Sequence, residues 1–152
     1  MKLSAAGLEL LKRAEGFRGR MYLDVNGFPT IGYGHRLLNP NSFPDGIAEA
    51  QAAEILVSDV RDAEQAVARL VKVALTQGQF DALVDFCFNL GAGKLAKSTL
   101  LKVLNGGRYE AAGEQLLRWD IAGGKENAGL KARREAELAL WNGTVAEQKA
   151  AA

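Results

Sequence analysis

Residues 17–36 constrain the fold of this chain more than any other stretch. They hold Gly19, Gly27, Gly32 and Gly34, the Asn26-Gly27 turn signal and apolar residues in alternation. A helix interior loses roughly 1 kcal/mol at each glycine, whereas short strands joined by tight turns use glycine at their turning points. The segment therefore predicts a small β lobe inserted between segments of another kind.

Those flanking segments carry helical patterns. Leu8, Leu11 and Glu15 follow one face of a helix over Ser4–Glu15, and Gly16 is suited to end it. After a loop from Pro40 to Gly46, a long helical stripe is predicted through Leu56, Val60, Ala63, Val67, Leu70, Val71 and Ala74. Thr76 and Gln79 fit a capping box that opens a helix at Gln77. Its apolar positions are Phe80, Leu83, Val84, Cys87 and Leu90, and Gly91 ends it. Ser98 is placed to cap a short helix ending at Asn105-Gly106, and Tyr109 to Trp119 reads as another. A final helix, about Gly129 to Trp141, follows the Gly123-Gly124 loop, and residues 143–152 read as a frayed tail. The expected class is α+β, mainly α. It is one domain over 1–152, with a β lobe at about 17–36, a helical lobe from the remainder and a cleft between them for a ligand.

Composition narrows the function. With 19 Lys+Arg against 18 Asp+Glu, the net charge is +1, which offers no general attraction to nucleic acid or an anionic membrane. One cysteine allows no internal disulfide, so the fold must be complete in a reducing compartment. No run approaches the roughly 20 apolar residues of a membrane span, and the N-terminus lacks a signal-peptide pattern. The expectation is a cytosolically made enzyme or binding domain without stable membrane insertion.

Several residues in and beside the β segment suit chemistry. Glu15 continues the apolar Leu8-Leu11 stripe. A carboxyl drawn into such surroundings keeps its proton more tightly, which suits a general acid; the alternative is an ion pair with Arg13 or Arg18. Asp24 precedes a tight turn, where it serves either as a functional loop carboxylate or as a local backbone acceptor. Asp24-Val25-Asn26-Gly27 opens like a calcium loop but lacks the later ligands. Gly32-Tyr33-Gly34 lacks the third glycine and the following helix of a dinucleotide site. His35, the single histidine, has no Cys or His cluster around it in sequence. It is read as bonded to an acidic residue rather than as a base, and neither metal nor cofactor is expected.

Together these residues form a recognisable pattern. Glu15, eight intervening residues, Asp24, five more, and then Thr30-Ile31-Gly32-Tyr33-Gly34-His35 resemble the Glu-Asp-Thr signature of phage-type lysozymes, the T4-like and lambdoid endolysins of glycoside hydrolase family 24. Further blocks at 82–91, 98–101, 119–125 and 129–135 resemble that family in the same order, so the likeness spans roughly residues 4–141. The resemblance implies a lysozyme-like two-lobe fold and hydrolysis of the β-1,4 bond between N-acetylmuramic acid and N-acetylglucosamine in peptidoglycan. It implies Glu15 as proton donor, Asp24 as the ionised carboxylate and Thr30 as a hydrogen-bonding partner of water or product. Gly32 and Gly34 would admit the glycan to the backbone. Phe88, Asn89 and Gln115 would line its path; for Phe88 core packing is the competing reading. An arginine from the last helix, Arg133 or preferably Arg134, would sit beside Glu15.

The resemblance further implies a monomer made without a signal peptide in a bacterial cytoplasm. It would reach the periplasmic wall through a separate pore-forming protein, a holin. Three features depart from the usual pattern: the charge is nearly neutral, Ala48 stands where relatives often carry a hydroxyl cap, a role Asp45 would have to take, and no N-terminal signal-anchor is read, which is why a holin is expected. The alternatives kept open are a lytic transglycosylase, which needs one catalytic glutamate and an intramolecular sugar hydroxyl, and a catalytically silent wall-binding module.

Overall fold

In the computed structural model, residues 1–143 are described, and the predicted tail beyond Gly143 lies outside them. They resolve into two compact units, Leu8–Arg61 and Met1–Gly7 with the chain from Asp62 onward.

The first unit grows outward from α1 (Ala5–Glu15), most of which it contains. The helix stops at Gly16, whose φ of +73° favours glycine over any residue with a Cβ. The chain then forms β1 (Arg18–Leu23), β2 (Pro29–Gly32) and β3 (His35–Arg36), an antiparallel sheet in the order β1-β2-β3. Tyr22 faces Thr30 and Thr30 faces Arg36, while a bulge between Arg18 and Tyr22 shifts the register at the start of β1. Alternation sends Ile31 into the core, fully buried. The helix α2 (Glu49–Asp59) contributes buried Ala52 and Leu56 to this unit. Tyr33 donates its hydroxyl to Glu49 at 2.6 Å, and this bond pushes the phenol up to about 12.

The long stripe expected through Ala74 is instead two helices, α2 and α3 (Arg61–Leu70). The turn tightens at Val60, whose N–H reaches the carbonyls of Leu56 and Ser58, and a new helix starts with Asp62 and Glu64 in its first turn. Acidic residues there complement the helix dipole. Val71 and Ala74 fall past the end of α3. Asp45 does not take the capping role either: Ala48 precedes α2 without any side-chain cap bond.

The second unit is built on α4 (Gln77–Leu90). The capping box predicted for it is present in both directions, with Thr76 accepting from Gln79 N–H and the Gln79 side chain accepting from Thr76 N–H. Phe80 to Cys87 are all buried, so this helix is core on every side. The helix α8 (Ala128–Asn142) crosses it closely at Gly78. Between them come α5 (Ala92–Lys97), α6 (Thr99–Asn105), capped by Ser98 as expected, and α7 (Tyr109–Gln115). The predicted Tyr109–Trp119 helix tightens to a 3-10 turn at Leu116–Arg118. A two-residue hairpin, β4 (Ile121–Ala122) with β5 (Lys125–Glu126), frames the Gly123-Gly124 turn. Neither α5 nor this hairpin has a periodic signal of its own.

Candidate active site

Asp24 sits just past β1 with its carboxylate held by the turn that follows. Oδ1 accepts the N–H of Asn26 and the N–H of Phe28, both at 2.9 Å. The backbone N–H of Asp24 in turn donates to the Phe28 carbonyl. The local backbone bonds read for Asp24 exist, and both fall on Oδ1.

Thr30, on β2, is buried and donates its hydroxyl to that same Phe28 carbonyl at 2.8 Å. The backbone of one residue, Phe28, thus holds both side chains, Asp24 through its N–H and Thr30 through its carbonyl. With its proton committed, the Thr30 oxygen is left as an acceptor only.

Glu15 is the last residue of α1 and is half-buried. Gly34 follows β2 at φ +75°, and a Cβ there would come within 2.9 Å of the Glu15 Oε2. Gly34 therefore makes room for the acid. Gly32 is a different case. It is buried, and a Cβ on it would meet Ala52 and Ile47, so its missing side chain serves packing on α2.

Tyr22 and Arg36 belong to this constellation although no motif marked them. Burial pushes the Tyr22 phenol up; Arg18, 4.4 Å from the ring, pulls it back, and the charges of Glu15 and Asp24 push it up again. Tyr22 is thus within electrostatic reach of both carboxylates. Arg36 lies 3.8 Å over the Phe28 ring, with its Nη2 4.0 Å from Asp24 Oδ2. His35 has the acidic partner expected of it, with Nδ1 2.8 Å from Asp59 on α2.

A family model described as phage lysozyme matches residues 12–137. The chain belongs to the phage lysozyme family. Among its relatives, the endolysin of Salmonella phage P22 is 41% identical over 144 residues, covering 93% of this chain and 98% of that protein. The endolysin of Bacillus phage B103 is 42% identical over 144 residues, 93% of this chain, but the match spans only 54% of that longer protein. Among solved structures, the muramidase domain of SpmX from Asticaccaulis excentricus superposes with a TM-score of 0.83 at 36% identity, covering 92% of this chain and 97% of that one. The fold is thus the lysozyme-like α+β fold.

The remaining residues expected to matter in this phage lysozyme family member lie in the helical unit. Phe88 and Asn89 are half-buried near the end of α4, and Gln115 is half-buried as the last residue of α7. Arg134, expected beside Glu15, is fully buried and directs its described hydrogen bonds to Asn89 and Glu137. Arg133 grips the buried Asp85 with two bonds of 2.9 Å from Nε and Nη2. Among the described residues, no group of three or more His, Cys, Asp or Glu could hold a metal ion, and no helix is long and apolar enough to cross a membrane.

Proposed function

We propose that this chain is a muramidase that hydrolyses the β-1,4 bond between N-acetylmuramic acid and N-acetylglucosamine of bacterial peptidoglycan, the reaction of host-cell lysis. The observation that carries the reading is the unequal treatment of two carboxyls. Asp24 is tied through Oδ1 to two backbone N–H donors in the turn after β1, and Glu15 ends α1 with its Oε2 against Gly34, where a Cβ would crowd it. Glycoside cleavage uses such a pair, one carboxyl that gives a proton to the leaving oxygen and one carboxylate that answers the oxocarbenium-like charge. Glu15 takes the first role. Asp24 takes the second through Oδ2, the oxygen free of backbone donors. Thr30, an acceptor, orients a water or product hydroxyl by taking one of its hydrogens.

The substrate side is formed by Phe88, Asn89 and Gln115, and the protein works on the wall as a monomer after passage through a holin. Turbidity loss of outer-membrane-permeabilised bacteria tests the chemistry. Glu15→Gln and Asp24→Asn are expected to lose lysis by at least about 10²-fold, the lower range for removal of a general acid. Unchanged lysis by Glu15→Gln overturns the assignment. Mass spectrometry of the released fragments is expected to find reducing ends; predominantly 1,6-anhydro ends would mean a transglycosylase.

A further inference from the structure

Arg134 places a whole guanidinium in the interior of the helical unit, with no solvent exposure. Such burial costs several kcal/mol unless the donors are answered. Its Nη2 donates to Glu137 Oε1 at 2.7 Å and to Asn89 Oδ1 at 2.9 Å, and its guanidinium carbon stands 5.1 Å from the centre of the Phe86 ring. The Nε and Nη1 atoms have no partner. The described hydrogen bonds of Arg134 thus go to two acceptors, Glu137 and Asn89.

The contact with Asn89 has a geometric consequence. A guanidinium has donors and no acceptor, so Asn89 meets it with Oδ1. Turning the amide over would set its NH₂ against a cation. Asn89 is half-buried near the end of α4, and among the described hydrogen bonds its Nδ2 makes none. An asparagine that is free to flip serves donors and acceptors alike. This one is fixed as a donor.

We propose that Arg134 is a positioning residue that locks the Asn89 amide as a donor-only contact for the carbonyl oxygen of a substrate N-acetyl group. The inference rests on the peptidoglycan reading above. Sugar hydroxyls both give and take hydrogen bonds and would be served by either amide orientation. The N-acetyl carbonyl is a pure acceptor, and each sugar of the glycan backbone carries one. A locked donor selects for it.

Asn89→Asp separates the locked donor from a merely structural asparagine. The carboxylate keeps the bond to Arg134 and adds charge to it, but presents an acceptor where the wild type presents NH₂. The expected result on soluble peptidoglycan fragments is a melting temperature no lower than wild type, with KM raised about tenfold, the worth of one hydrogen bond, and kcat little changed. On chemically de-N-acetylated fragments, whose free amines are donors, the penalty of Asn89→Asp should vanish or reverse. Arg134→Met should raise KM in the same way, and Arg134→Lys, still a charged donor, should recover part of the loss. If Arg134→Met fails to fold, Asn89→Asp decides. A wild-type KM for Asn89→Asp on N-acetylated fragments overturns the locked donor while leaving the hydrolase reading intact. Failure of the wild type to bind or cleave those fragments overturns both.

Discussion

Gly34 and Glu15 approach so closely that a Cβ on the glycine would stand 2.9 Å from the acid's Oε2. The glycine is required twice over, since its φ of +75° is also a region that residues with a Cβ avoid at a cost of about 1–2 kcal/mol. Gly34→Ala is therefore expected to displace the Glu15 carboxyl. A misplacement on the order of 1 Å costs about 10²-fold in rate, with a melting temperature lowered by only a few degrees. Lysis assays beside thermal melts check this; full activity in a folded Gly34→Ala would remove Gly34 from the site.

Thr30 and Asp24 both bond the backbone of Phe28, at its carbonyl and its N–H respectively, so the hydroxyl has a structural duty beside the chemical one proposed for it. Thr30→Val keeps shape and removes both, and should cost about 1 kcal/mol of stability together with most of the activity. Thr30→Ser keeps the hydroxyl and should retain both to a large degree. Equal kinetics for Val and wild type would leave Thr30 a packing residue.

How much of this was legible depended on how local the cause is. The Thr76–Gln79 box and the Ser98 cap are chemistry within four residues, and both elements begin where the sequence says. The spacing of Glu15, Asp24 and Thr30 likewise marks the candidate site. The stripe through Leu56 and Val67 keeps its apolar period across the break at Val60, so periodicity alone joins two helices into one. Tyr22 and Arg36 were hidden because their place beside Thr30 follows from strand register, which a bulge before Tyr22 alters. For Arg134 the resemblance implies a place beside Glu15, and only the packing of α8 on α4 shows it buried and bonded to Asn89 and Glu137.

Gly78 is the point where α4 and α8 meet backbone to backbone. A Cβ on it would lie 2.0 Å from the Leu140 carbonyl oxygen, which no rotamer change relieves. Gly78→Ala should destabilise by about 3 kcal/mol or more, the upper end for overpacking. Gly93, in α5, has nothing within 4 Å of the same test atom and no positive φ. Gly93→Ala should therefore stabilise by about 0.5–1 kcal/mol through helix propensity alone. Denaturant melts of the two variants give the comparison, and equal effects would contradict the close crossing.

Glu137 should make the stability of this protein fall as pH rises. The group is buried on α8 and faces Asp85 of α4, Arg133 and Arg134. Burial, then Asp85, raises its carboxyl well above the ordinary range, and the two arginines oppose this only in part. The native state therefore keeps a proton that the unfolded chain has already lost. The stabilisation it gives is complete below the unfolded glutamate value and is lost as pH climbs through the native one, at about 1.4 kcal/mol per pH unit between them. Glu137→Gln removes the titration while keeping an amide oxygen to accept from Arg134 and offering an amide nitrogen toward neighbouring Asp85. Every other titrating group is common to the two proteins, so the difference in melting temperature isolates Glu137. That difference should grow in favour of Glu137→Gln from acid to neutral pH. A constant difference, or one that favours the wild type increasingly with pH, would mean that Glu137 folds as a carboxylate paired with Arg134.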